Sequence, residues 1–296
     1  MGKKVIVIGA GFAGLSAASF MAKAGWQVTV LEKNAIPGGR ARQMKAEGFT
    51  FDMGPSWYWM PEVFERYFNQ FGKKVSDYYI LERLDPSYRV YWQEEPMDIP
   101  ADYEALKQLF ESVEPGSGAS LDKFLEEAAY KYEVGINKLV HKPGQTLSEF
   151  LDWEVISGVF KLDVFNSMKS HVAKHFSHPK LKELMEFPVL FLGALPQKIP
   201  ALYSLMNYAD IKGGTWYPQN GMYSIVDGMV KVAKSLGVQF KLGEEVMHVE
   251  VENGTANKVV TRLNDTGIDN IYSFDVLIGA GDYHHIETNL LEKKYQ

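Results

Sequence analysis

The stretch from Lys3 to Arg42 constrains this chain more than any other. Val5-Ile6-Val7-Ile8 is a short apolar run rich in β-branched residues, the composition of a strand buried on both faces. Gly9-Ala10-Gly11-Phe12-Ala13-Gly14 follows without a gap and matches G-x-G-x-x-G. Leu15 to Lys23 is Ala-rich and helix-favouring, and Gly25 stops it. Val28-Thr29-Val30-Leu31 reads as a second strand with Glu32 at its end.

Each part of that unit has a task in gripping a dinucleotide. Gly9 permits the tight turn out of the strand. Gly11 lacks a Cβ and admits a pyrophosphate to the backbone, and Gly14 lets helix and strand pack closely. Phe12 and Ala13 open the helix, whose unpaired N–H groups and partial positive charge favour phosphate. Glu32 lies roughly twenty residues beyond the glycines, where a carboxylate accepts hydrogen bonds from ribose hydroxyls. It would repel a 2′-phosphate, which argues against NADP. Lys33 beside it joins the candidate site.

The residues that follow narrow the choice of dinucleotide. Gly38-Gly39-Arg40-Ala41-Arg42 comes soon after Glu32, and then Gly48-Phe49-Thr50-Phe51-Asp52-Met53-Gly54-Pro55-Ser56. The order G-x-G-x-x-G, Glu, G-G-R and F-D-x-G-P-S resembles the FAD-binding region of the amine-oxidase superfamily of flavoproteins. The resemblance implies FAD as cofactor. It implies that Gly39 and Arg40 run along the pyrophosphate and that Met53, Gly54, Pro55 and Ser56 lie near the flavin ring. The planar donor fork of Arg40 suits a phosphate. The alternative for Arg40 and Arg42 is a solvated surface pair.

Several separated segments sharpen the resemblance. Gly54-Pro55-Ser56-Trp57-Tyr58-Trp59-Met60-Pro61-Glu62-Val63-Phe64, Leu84-Asp85-Pro86-Ser87-Tyr88-Arg89-Val90, Phe124-Leu125-Glu126 with Lys131-Tyr132, and Gly214-Thr215-Trp216-Tyr217-Pro218 are similar to the phytoene desaturase family of carotenoid dehydrogenases. The likeness runs over essentially the whole chain. It implies an FAD-dependent oxidoreductase that desaturates a carotenoid precursor such as phytoene, a long apolar polyene. Members of that family also saturate, oxygenate or isomerise polyenes. A ketolase, isomerase or saturase acting on another lipid is therefore the alternative, and a non-catalytic nucleotide-binding fragment is a third. In similar flavoproteins the segment after Glu244-Glu245 passes near the adenine, which puts Val246 in the site by resemblance.

Composition sets the outer limits. The chain has 296 residues, 46% hydrophobic and 23% charged, as in ordinary globular domains. Its net charge of −6 gives no support to nucleic-acid binding. With no cysteine, disulfides, thiolate metal sites and a Cys-linked flavin are excluded. No apolar run reaches the roughly 18–20 residues of a membrane span. The expected location is cytoplasmic, peripheral on a membrane. The oligomeric state is left open.

The expected fold class is α/β, a Rossmann-like FAD-binding domain with an inserted mixed α+β substrate domain. The boundaries expected are 1–75 for the first part of the FAD-binding domain, 76–212 for the substrate domain and 213–296 for the return segment. Met60 to Phe71 reads as a helix with core aromatics, and Leu121 to Gly135 as one capped by Ser120. Thr146 with Glu149 fits a capping box. The apolar run Phe187 to Met206 reads either as helical core or as a greasy, membrane-facing entrance.

His171 and His175 are four apart on an expected helix, but no carboxylate completes a recognised pattern, so no metal site is expected. No catalytic acid or base can be named. Family members extend well past Gln296 and supply there a last Gly-rich motif that closes on the flavin. The expectation is therefore a truncated chain that alone binds FAD poorly and lacks activity.

Overall fold

The computed structural model describes residues 2–93, 95–140, 146 and 163–296. The chain divides into two compact units. One comprises Met1–Tyr58, Glu62–Glu82 and Tyr217–Gln296, and the other Trp59–Pro61 and Arg83–Trp216. The chain thus crosses after Glu82 and after Trp216, later than the sequence boundaries at 75 and 212. Aromatic packing holds the extra residues in the first unit. Tyr78 stacks on buried Phe68 at 5.0 Å, and the Tyr79 hydroxyl lies 3.1 Å from that of Tyr58.

The first unit is built on a parallel sheet in the order Val276–Gly279, β1 (Lys4–Ile8), β2 (Gln27–Glu32), Gln239–Leu242. Val5 pairs with Val28 on one side and Val276 on the other. Alternate residues of β1 serve different faces. Val5 and Val7 pack with Ala18 of α1 (Phe12–Lys23) and Ala233 of the helix Tyr223–Ser235. Ile6 and Ile8 pack with Val246, Val249 and Val259 of an antiparallel sheet. A strand covered on both sides cannot alternate apolar with polar, which is why the run is continuous.

The covering sheet consists of Glu244–Glu252, Thr255–Leu263 and Asp269–Ser273. Its first turn is Asn253-Gly254, both at positive φ (53° and 77°), as a tight hairpin turn requires. Helix α2 (Pro61–Asn69) is shorter than the expected Met60–Phe71. Phe68 is fully buried as expected, while Val63 is exposed. Tyr67 meets the Ser19 hydroxyl of α1 at 2.9 Å, and burial pushes its pKa up to about 12. Asp52 accepts the Met222 and Tyr223 amides at 2.8 and 3.2 Å, capping a helix that begins some 170 residues downstream.

The second unit is mixed. The hairpin Tyr88–Tyr91/Pro96–Ile99 accompanies α3 (Tyr103–Val113), α4 (Ser117–Val134) and the helices Met168–His175 and Pro179–Glu186. Phe110, Leu121, Phe124, Met168, Val172 and Leu181 form a core with zero exposure. Ser120 does not cap α4. The helix starts four residues earlier than expected, behind Gly116 at φ +86°, and Glu111 accepts the Gly116 and Gly118 amides at 2.7 and 3.0 Å. Of the capping box expected at Thr146 and Glu149, Glu149 lies outside the described residues.

Phe187 to Met206 is not one helix. A 3₁₀ turn over Phe187–Leu192 ends at Gly193 (φ +67°), and short turns resume at Ala201–Ser204 and Leu205–Tyr208. Pro188, Pro196 and Pro200 remove the donors a continuous helix would need. Leu190, Phe191, Leu192 and Leu195 are 41–72% exposed, so this part of the run is not core.

Candidate functional site

The carboxyl ends of β1, β2 and Val276–Gly279 open onto a cleft of about 800 Å³ within the first unit. This is where open α/β sheets bind ligands. Gly9, Gly11, Phe12 and Ala13 form one wall, Gly39, Arg40 and Pro55 another, and Glu32, Lys33 and Val246 line the remainder.

The glycines are demanded by close approach. A Cβ on Gly14 would sit 2.0 Å from the Gly9 carbonyl oxygen. Gly14 therefore lies beneath the turn and outside the cleft wall. Gly39, at φ +57°, would place a Cβ 3.1 Å from the Gly11 Cα, and the Gly38 amide donates to the Ala10 carbonyl at 2.8 Å. The Gly-Gly-Arg turn thus clamps the first glycine loop directly. A Cβ on Gly54 would lie 2.0 Å from the Arg40 carbonyl oxygen. Gly54 fixes the Arg40 backbone, whereas Met53 and Ser56 lie beside Pro55 outside the wall.

Glu32 is 4% exposed and accepts the Ala10 amide at 2.8 Å and the Asn34 amide at 2.9 Å, with the Asn34 side chain as a third donor. A carboxylate has about four acceptor positions. Three are filled, so one remains for a sugar hydroxyl.

The electrostatics suit an anion. Helix α1 begins behind Gly11 with no side-chain cap and no acidic residue in its first turn. Among the described residues, neither Arg40 nor Arg42 forms an ion pair, although both line the cleft. Lys33 is only loosely paired with Glu245 at 3.9 Å. Glu244 is turned inward, where it accepts from Thr261, Asn270 and Tyr272. Burial first, and then Glu244, pushes the Tyr272 hydroxyl up to about 12. An uncapped helix start, two unpaired guanidinium groups and glycines that leave no room for a Cβ fit the pyrophosphate and ribose of a dinucleotide.

Several lining residues were not singled out from sequence. Gly281, Asp282, His285, Ile286 and Leu290 follow the strand Val276–Gly279 and close one side. His285 is exposed and lines this cleft. Asp282 caps the turn by accepting the His285 amide at 3.0 Å. The available signal was the Gly-Ala-Gly-Asp run at the end of a strand, which gains meaning only once that strand is known to lie beside β1.

The model of the flavin containing amine oxidoreductase family matches residues 12–295. The chain belongs to that family, and FAD is the cofactor that goes with it. Within it, the chain is 39% identical over 299 residues to a carotenoid 3,4-desaturase of Haloarcula japonica, covering 99% of this chain and 59% of that protein. It is 33% identical over 259 residues to a zeta-carotene-forming phytoene desaturase of Myxococcus xanthus, covering 87% and 50%. The chain therefore spans only half to three-fifths of the length of these relatives. Among solved structures, a putrescine oxidase shares the fold with a TM-score of 0.55 at 17% identity, over 94% of this chain and 58% of that one. A Rab GDI of Plasmodium falciparum shares it at 0.56 and 13%, over 97% and 67%.

Proposed function

We propose that this protein acts as an FAD-dependent oxidoreductase that desaturates a long apolar polyene of the phytoene type. The observation that carries the reading is the cleft of the first unit, with its glycine walls, unpaired arginines and Glu32, in a chain 39% identical to a carotenoid desaturase. In this reading Gly9, Gly11, Phe12 and Ala13 hold the pyrophosphate through main-chain amides. Arg40 offsets its charge, aided by Lys33. Glu32 accepts a ribose hydroxyl, and Val246 offers an apolar contact to the adenine. Gly14 and Gly54 keep the turns in place, while Met53, Pro55 and Ser56 border the path toward the ring. When bound, FAD supplies hydride acceptance from a C–C bond flanked by double bonds.

The domain roles follow the same reading. The first unit binds the cofactor and the second serves the substrate. The substrate dissolves in lipid, not in water. Leu190, Phe191, Leu192 and Leu195 form an exposed apolar patch on the second unit, suited to resting on a membrane surface. Among the described residues, no helix is long and apolar enough to cross a membrane. Such contact would be peripheral, and flotation with liposomes tests it. Substituting the four residues by Ser should abolish co-migration.

The activity test is expression of the gene at its full length in cells that accumulate phytoene, since the present chain alone is expected to bind FAD poorly. Extended polyenes absorbing at longer wavelength are the expected product. Unchanged phytoene from a flavin-loaded protein would refute the assignment.

A further inference from the structure

Helix α4 and the helix Met168–His175 bring together ionisable side chains that the cleft does not use. His171 and His175 lie one helical turn apart on the same face. Glu127 of α4 reaches both, with one carboxylate oxygen 3.7 Å from His171 Nε2 and the other 3.8 Å from His175 Nε2. The three donor atoms lie within 4.8 Å of one another. On the far side of the His171 ring, Asp163 lies 3.3 Å from Nδ1. That carboxylate directs the ring proton to Nδ1 and leaves the Nε2 lone pair toward Glu127 and His175. Metal-bound histidines have this backing as a rule. The Phe124 ring walls the cluster, 5.1 and 5.4 Å from the two imidazoles.

One cation already sits there. Lys131 Nζ lies 3.4 Å from His171 Nε2 and also donates to the Ala201 carbonyl at 3.2 Å and the Ser204 hydroxyl at 3.1 Å. It competes for the same lone pair. We propose that Glu127, His171 and His175 form a divalent-metal site of the zinc type that ties α4 to the helix Met168–His175, with Lys131 holding the position in the metal-free protein.

Zinc binds these donors at about 2.0–2.2 Å, which puts tetrahedral ligand atoms roughly 3.4 Å apart. Each imidazole has to close a few tenths of an ångström on its carboxylate oxygen, and the three donors, now within 4.8 Å of one another, have to contract around the ion. The charges also allow it. Glu127 and Asp163 offset the dication, while Lys131 and the exposed Lys123 and Lys174 add positive charge nearby. Lys131 keeps its bonds to Ala201 and Ser204 when it withdraws. Glu127, half exposed, gives the ion a way in.

The test is titration of the chelator-treated chain with Zn²⁺ alone, followed by calorimetry and by the melting temperature. One saturable site per chain and a rise in Tm are expected. Glu127→Gln, at an exposed position that does not threaten folding, should weaken binding by at least about tenfold, as should His175→Gln. Asp163→Asn should cost about ten- to a hundredfold through the backing interaction. Lys131→Met should tighten binding. His284→Ala should leave it unchanged. Absence of a saturable site, or a site indifferent to both Glu127→Gln and His175→Gln, would overturn the proposal. Binding unimproved by Lys131→Met would overturn the competition.

Discussion

In the first unit the cleft wall is largely main chain. Gly9, Gly11 and Gly39 present backbone to the cleft, and Gly14 and Gly54 hold those turns because a Cβ on either would strike a carbonyl at 2.0 Å. In the second unit the dense polar cluster is all side chain. Glu127, Lys131, Asp163 and His171 come from segments up to 44 positions apart and meet only because Phe110, Phe124 and Phe176 pack the helices together. A site made of turns is carried by a short local motif. A site made of side chains exists only after the core has formed.

That contrast can be broken by mutation. Phe124→Ala should have the largest effect, about 3–5 kcal/mol of stability, because Phe124 is fully buried in the core of the second unit. Denaturant unfolding measures the loss. ADP binding to the remaining native protein should be unchanged, and a parallel loss of ADP affinity would blur the division. Gly14→Val comes next. Overpacking against the Gly9 carbonyl should cost about 1–3 kcal/mol or more and abolish ADP binding, read by calorimetry. Glu32→Ala should weaken ADP by about ten- to a hundredfold, matching the roughly 1.5–3 kcal/mol of hydrogen bonds to a charged group, and it leaves the Ala10 amide without its acceptor.

The smallest effect concerns pH in the second unit. Asp210 accepts from Tyr88 at 2.8 Å and from Thr215 at 2.7 Å, yet its burial raises its pKa above the usual carboxylate range. A raised folded pKa means that its contribution is complete below the unfolded value, about 3.9, and is lost as pH rises through the folded one. Asp210→Asn should therefore gain stability relative to the parent as pH climbs from 4 to 8. Urea midpoints across that range check it, and a pH-independent difference would count against the burial.

The same contrast explains what could be read in the residues alone. β1, α1, β2 and Glu32 were legible because each is local and carries its own periodicity or glycine. The Asn253-Gly254 turn carries a local signal of the same kind. Glu127 beside His171 was not, since it lies 44 positions away on a different helix. Nor was Glu111 as the acceptor at the start of α4, because Ser120 offered a nearer and chemically sound cap. His285 entered the cleft only through the pairing of Val276–Gly279 with β1. The run from Phe187 left two readings open, helical core or a greasy surface, for another reason. Its apolar residues suit either, and only the folded chain shows that its prolines and Gly193 break the helix and leave four side chains in solvent.

The claim on which the rest stands is that the first unit grips the adenosine diphosphate part of a flavin nucleotide, with Glu32 at the sugar. Calorimetric titration of the chain with ADP and with its 2′-phosphorylated analogue tests it most directly. One ADP per chain, bound at least about tenfold more tightly than the analogue, with that preference erased by Glu32→Ala, is the expected result. Failure to bind ADP, or equal affinity for both nucleotides in the unmodified chain, would contradict it.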